Sequence, residues 1–494
     1  MKKLVLLSSA AVALAACTTV GSPSEAQSSS RATSISAADK KQGAEAHPQL
    51  LQEFGGSYGG NQSSYVVGVG QNIAVQSGLS NARGDFTVTL LNSPVNNAFA
   101  IPGGYVYVTR QLMGLMNDEA ELAGVLGHEV GHVAARHSKK RQSAATRNSI
   151  LGVLGTVLGG VIGDSGGLLG GLGGLLQNNS MQMAQMATLG FSRSQELEAD
   201  DLGVRYLRSA GYDTRALSTM LASLANQTAL ESRVWGQNAR SVPEWASTHP
   251  DPASRVTRAA SVAQKAGGTN GRRNREQFLA ALDGVMYDDD PRQGVIEGRS
   301  FLHPEMRLGF TIPQGFAMQN GTQAVTVSGN GGQAMFTTAQ YNGNMETYVN
   351  NALQQIVGKA QYQLGQLNRT TVNGLPAYYR TARASTQSGQ VDVTIFAYEF
   401  AKDRAYHFAT MSKAGQSQSF NPMFQSVRRL TANEASAIKP RRIDVVTVAR
   451  GDTVSRIASR MAYSNYKEER FRVLNGLSAN SSLTSGQKVK IITY

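Results

Sequence analysis

The run His128-Glu129-Val130-Gly131-His132 constrains this chain more than any other feature. Two histidines four residues apart lie on one face of a helix, so both rings can reach a single metal ion. The glutamate beside the first ring is placed to take a proton from water at that ion. The flanks say what kind of helix this is. Asn117 and Asp118 offer capping oxygens, and Glu119 and Glu121 place negative charge in the first turn. Leu122, Ala123, Val125, Leu126, Val130, Val133 and Ala134 make it apolar on most sides, and Arg136, His137, Lys139, Lys140 and Arg141 end it with positive charge. The pattern predicts a core helix whose histidines sit in the interior. An unpartnered imidazole is costly there, and a metal would account for both.

A third ligand has to come from elsewhere, and Ser192-Arg193-Ser194-Gln195-Glu196-Leu197-Glu198-Ala199-Asp200 supplies a candidate. On a helix, Glu196, Ala199, Asp200, Gly203 and Leu207 share one stripe. Ala199 and Gly203 would let this helix approach the first one closely. Glu196 is then the candidate ligand, and Asp200, one turn later, the carboxylate that orients a ligand histidine. Glu198 falls on a different face, with Leu202 and Arg205. By itself the segment also reads as a solvated acidic helix start.

His128-Glu129-x-x-His132 followed by Glu196-x-x-Ala199-Asp200 resembles the gluzincin metallopeptidases that include the CAAX prenyl endopeptidase, the HtpX-like membrane proteases and the BepA-like periplasmic proteases. The resemblance covers residues 46–265. It implies a mainly α-helical zincin domain with a small β edge and one zinc ion per chain, held by His128, His132 and Glu196, with Glu129 as the base. It also includes Asn97-Ala98-Phe99-Ala100-Ile101-Pro102-Gly103-Gly104-Tyr105-Val106-Tyr107-Val108, which borders the cleft in that family. Alternating β-branched and aromatic residues after Pro102-Gly103-Gly104 independently predict a strand. An edge strand there would pair with an extended peptide, making Asn97, Ala98 and Phe99 candidate substrate-binding residues.

Thr248-His249-Pro250, with Arg255 shortly after, is similar to a segment of the soluble periplasmic members. His249 then either donates a hydrogen bond to the oxyanion or occupies the open zinc position and holds the enzyme latent. An ordinary loop histidine before proline is the plainer alternative. Arg255 pairs with a substrate carboxylate or an internal acid, or is solvated. His137 reads as a helix-end cation, and His47, His303 and His407 have no motif context.

Lys2 and Lys3 precede an apolar run at 4–13, and Leu14-Ala15-Ala16-Cys17 follows. This resembles a bacterial lipoprotein signal peptide (1–17), cleaved before Cys17, which is then acylated. Thr18, where a retention aspartate would stand, points to the outer membrane. Cys17 is the single cysteine of 494 residues, which excludes internal disulfides. Residues 18–45 read as a flexible tether. Between the two motifs, residues 150–176 interleave Leu, Ile and Val with eleven glycines. The longest uncharged stretch there, 150–163, has fourteen residues, short of the roughly 20 that span a bilayer. It reads as a mobile apolar flap, a segment touching membrane or substrate, or a loop without a role.

Residues 266–299, with Gly267-Gly268-Thr269-Asn270-Gly271, read as a linker. Short alternating runs and a helical pattern near 347–357 then predict an α+β domain at 300–435, with no catalytic constellation. It resembles the Mog1/PsbP-like fold. At 443–494, Gly451-Asp452-Thr453, Leu474-Asn475-Gly476 and Thr484-Ser485-Gly486-Gln487 resemble a LysM module, a small βααβ unit. That resemblance implies a partner containing N-acetylglucosamine, such as peptidoglycan. The same residues also make plain turn and core chemistry.

The length predicts about three domains. The formal charge of +13 suits anionic lipid headgroups, lipopolysaccharide or peptidoglycan carboxylates. Nucleic acid is disfavoured for an exported protein. These expectations converge on a lipid-anchored zinc endopeptidase of the periplasm that cleaves misfolded or stalled envelope proteins. Two alternatives remain: a chaperone or scaffold with a latent site that binds outer-membrane clients or peptidoglycan, and a cell-wall peptide hydrolase.

Overall fold

The helix bearing His128 and His132 is buried along almost its whole length within one hydrophobic core. The computed structural model describes residues 34–138, 191–235, 249, 251–358, 360–386 and 389–494. Cys17 with its signal peptide, and the glycine-rich run 150–176, lie outside the described residues. Among the described residues no helix is long and apolar enough to cross a membrane.

The chain enters through α1 (Ala37–Glu53) and α2 (Asn61–Ala74), then forms β1 (Thr87–Leu91), β2 (Ala98–Ile101) and β3 (Tyr105–Thr109). β1 pairs with β3 in parallel and β2 with β3 antiparallel, so β2 is at the sheet's edge. α3 (Arg110–Leu115) leads into α4 (Glu119–Ala134), which starts where the sequence predicts: Asp118 Oδ1 accepts from Glu121 N at 3.0 Å. Beyond the undescribed segment come α5 (Arg193–Ser209), opened by a Ser192/Gln195 capping box, then α6 (Ala216–Trp235) and α7 (Pro252–Ala266). Leu122, Val125, Leu126 and Val130 of α4 share one core with Ile73, Val88, Leu202, Leu207 and Leu217. A mainly helical unit with a small β edge is therefore present.

Three boundaries differ from expectation. The tether stops short of residue 45, because α1 begins at Ala37 and buries Gly43, Ala46 and Leu50. Its Ala, Lys and Gln residues suit a helix as well as a flexible chain, and Ser36 caps it. Residues 266–299 are no linker. Gly267 and Gly268, at φ 73° and 80°, turn the chain tightly back onto the helical unit. Arg273 reaches Asp118 at 2.6 Å and Asp213 at 3.2 Å, and α8 (Arg275–Leu282) buries Phe278, Leu279 and Leu282 in the main core.

The tail is also not a separate bead. Its strands Arg441–Thr447 and Lys488–Thr493 pair antiparallel and are extended by β4 (Met286–Tyr287) from the supposed linker. Ile443, Ile457, Phe471, Leu474 and Ile491 join the same core as α4. The Lys490 ammonium is buried and donates to the carbonyls of Gly114 and Met116 at the end of α3.

Residues 300–435 form the expected α+β domain. Its eight-stranded antiparallel sheet carries helix Met345–Val357 on one face and the aromatic cluster of Phe310, Phe336, Phe408 and Phe424 on the other. Three consecutive aspartates join the parts. Asp288 accepts from Tyr463 of the tail (2.7 Å), Asp289 from Ile296 N and Asn320 of the α+β domain (2.9 and 3.3 Å), and Asp290 from Asn92 beside the small sheet (3.0 Å).

Candidate metal centre

α4 and α5 meet at glycines. A Cβ on Gly203 would lie 3.2 Å from His128 N, and one on Gly131 would lie 3.2 Å from Ala199 O. This close approach brings Glu196 of α5 against both histidines of α4. One nitrogen or oxygen each from His128, His132, Glu196 and His249 falls within 4.8 Å of the others, and all four residues are buried. The three residues expected as ligands thus lie together, and His249 stands with them.

The supporting contacts are specific. His128 Nδ1 lies 3.0 Å from Asp200 Oδ1, so the aspartate stands behind the ring as the sequence suggests. Arg255 is 1 % exposed. It clamps Asp200 through Nε and Nη2 at 2.9 and 2.6 Å and reaches Glu196 Oε2 through Nη1 at 2.5 Å. Of the alternatives for Arg255, an internal acid is the partner found. Its guanidinium is committed inside the protein, which corrects the expectation that it binds substrate. His249 Nε2 is 3.3 Å from Glu129 Oε1, so the loop histidine faces the candidate base.

Asn97, Ala98 and Phe99 are at the sheet edge, but their side chains point into the protein. Phe99 stacks on Tyr107 at 4.7 Å, and Ala98 is in the core. The side chains of this segment are thus committed to the interior, and its exposed pairing capacity is that of the β2 main chain. His47 pairs with Tyr107 and His407 with Tyr348, both away from the centre.

Two residues escaped the sequence reasoning. His137, read as a helix-end cation, is buried with Nδ1 2.8 Å from His132 Nδ1. Glu198, set aside for lying on another face, is 3.1 Å from His137 Nε2. Phe191 stacks on the His132 ring at 3.8 Å. The five-residue spacing from His132 to His137 was visible, but the turn that folds His137 back was not.

The electrostatics of the cluster suit a cation. Burial alone would depress His128, yet the Asp200 and Glu196 carboxylates outweigh it and raise its pKa to about 9. Burial raises Asp200, but the bonds from His128 and Arg255 prevail and hold it at about 2. Burial drives His132 well below the usual imidazole value, and the neighbouring positive charges push the same way. His128 Nε2 and His132 Nε2 stand 3.0 Å apart, and the buried Glu196 Oε1 accepts no hydrogen bond. Imidazole nitrogens and a carboxylate converging this way are the donor set of a divalent transition-metal site. The residues fit the group.

Fold and site together define a zincin-type unit: an HExxH helix with a glutamate ligand candidate on a second helix packed against it. Residues 61–263 match the model of peptidase family M48, and residues 446–491 match the LysM domain. The first of these matches shows that the region running from α2 to α7 is similar to that family. It is 32% identical over 195 residues to the beta-barrel assembly-enhancing protease of Yersinia pestis, covering 40% of this chain and 37% of that protein. It is 34% identical over 136 residues to the metalloprotease LoiP of Escherichia coli (strain K12), covering 26% of this chain and 47% of that protein. The chain thus spans less than half the length of these relatives. Cyanobacterial PsbP from Synechocystis matches 26% of this chain and 91% of its own length, at 12% identity and a TM-score of 0.21. A score that low carries no argument.

Proposed function

We propose that this chain is a zinc-dependent endopeptidase of the bacterial periplasm that cleaves misfolded or stalled envelope proteins. The observation that carries the reading is the convergence of His128, His132, Glu196 and His249 within 4.8 Å, with Glu129 between the helix's two histidines in sequence. His128, His132 and Glu196 would hold the ion, one per chain. Zinc bound there supplies Lewis-acid polarisation of a scissile carbonyl and of a water molecule.

The chain's own residues do the rest. Glu129 takes a proton from the attacking water and returns it to the amine nitrogen as the C–N bond breaks. His249, swung from Glu129 toward the carbonyl oxygen, donates to the developing oxyanion. Asp200, held by Arg255, keeps the proton of His128 on Nδ1 and leaves Nε2 for the metal. The name of one relative, a beta-barrel assembly-enhancing protease, supports β-barrel envelope proteins as clients, and the match to the LysM domain supports peptidoglycan as a second partner. Cys17 would supply the lipid anchor, to the outer membrane.

One observation favours a second reading, a chaperone or scaffold with a latent site. Glu129 and His249 are each 1 % exposed and in mutual contact, so a peptide enters only after His249 moves. The test is hydrolysis of unfolded casein by the full chain and by Glu129→Gln, with zinc content measured in both. Cleavage lost in the variant with zinc retained supports the endopeptidase. No cleavage by either, with stoichiometric zinc, supports the latent scaffold. Absence of zinc from the intact chain overturns the metal site.

A further inference from the structure

Behind His132, on the side away from the donor set, lies a row of two more side chains. α4 ends at Ala134, and Arg136 then takes φ 55°, a left-handed conformation uncommon outside glycine. That single turn folds His137 back beneath the helix end, where it is fully buried. Gln195 Nε2 of α5 holds the His137 carbonyl at 3.4 Å. His137 then bridges two groups: Nδ1 is 2.8 Å from His132 Nδ1, and Nε2 is 3.1 Å from Glu198 Oε2.

Proton counting makes this row directional. A neutral imidazole carries one proton, on one nitrogen, and a carboxylate only accepts. Glu198 therefore favours the proton of His137 on Nε2, which leaves a lone pair on His137 Nδ1. That lone pair requires His132 to carry its own proton on Nδ1, so His132 Nε2 is bare and faces His128 and Glu196. The opposite assignment would aim the His137 Nε2 lone pair at a carboxylate. The two ligand histidines are thus supported unequally, His128 by Asp200 directly and His132 through a second imidazole.

We propose that His137 and Glu198 are positioning residues that fix His132 in the tautomer and orientation needed to bind zinc. The proposal rests on the metal site of the preceding subsection and adds two residues to it. Loss of such an outer partner characteristically weakens metal binding by about 10- to 100-fold.

The experiment is competition between the full chain and a chelator for Zn2+ alone, in the wild type, His137→Phe and His137→Asn, with thermal unfolding of each metal-free chain. The phenylalanine fills the ring's space and accepts nothing. The asparagine amide oxygen can stand where Nδ1 stood. The expected result is zinc affinity about 10- to 100-fold weaker in His137→Phe at a similar unfolding temperature, with at least part regained in His137→Asn. Nitrogen-15 spectra of the zinc-loaded wild type should show the His137 proton on Nε2. Equal zinc affinity in wild type and His137→Phe overturns the proposal while leaving the metal site standing. A His137 proton on Nδ1 also overturns it, and decides the matter should His137→Phe fail to fold. A wild type that binds no zinc overturns both.

Discussion

Replacing Arg255 with methionine removes the guanidinium that clamps two buried carboxylates, Asp200 and Glu196. The guanidinium makes two bonds to Asp200 and one to Glu196, all with side chains at most 1 % exposed. His128 still faces Asp200 Oδ1 in the variant, so the stranded acceptors are Asp200 Oδ2 and Glu196 Oε2. Each buried acceptor left unsatisfied costs about 1–3 kcal/mol. Breaking a buried ion pair by removing one partner costs about 3–5 kcal/mol. The two estimates agree, and the larger end lowers the folding constant more than a thousandfold. Urea unfolding of the metal-free full chain at neutral pH, followed by circular dichroism, measures it. An Arg255 that bound substrate would leave this curve unchanged and raise KM instead. A destabilisation under about 1 kcal/mol would refute the clamp.

Gly203→Val should destabilise by about 1–3 kcal/mol or more and lower zinc occupancy, since its side chain meets the His128 main chain 3.2 Å from where Cβ would stand. Unchanged zinc content and stability would show that α4 and α5 need no close approach. Lys490 offers a pH test. Burial lowers its folded pKa to about 7, with Glu121 and Asp118 opposing and Arg275 reinforcing. The unfolded chain, near the ordinary 10.5, binds the extra proton between those limits, so stability rises with pH from about 7 to 10 by up to about 1.4 kcal/mol per unit. Lys490→Met should lack that slope in urea unfolding repeated across the range, and parallel curves for the two chains would count against it.

Much of the centre was legible because its determinants are local. Helical periodicity alone puts His128 and His132 on one face, and places Glu196 and Asp200 on one stripe with the small residues that admit the partner helix. Asp118 as a cap and the α+β character of residues 300–435 follow from equally short-range patterns. Arg255 was left among three partners because its choice depends on a helix almost sixty residues away. Glu198 was set aside by the same face argument that favoured Glu196. It is used because His137 comes round the helix end to meet it, and nothing in the local pattern announces a left-handed Arg136.

The boundaries show the same division. Glycine-rich stretches say that a chain turns, and residues 267–271 do turn, but composition does not say whether the turn leads away from a core or back into it. Arg273 and Phe278 decide that by reaching acids and apolar surface far off in sequence. The tail's LysM pattern specified its strands and helices, while its docking on the peptidase unit, through Lys490 and the shared core, rests on groups more than 370 residues apart. The chain by itself determined which side chains repeat on which face, since that depends on backbone period alone. Tertiary structure decided which buried charge answers which, because a charge removed from water takes whatever partner the packing brings within about 3 Å.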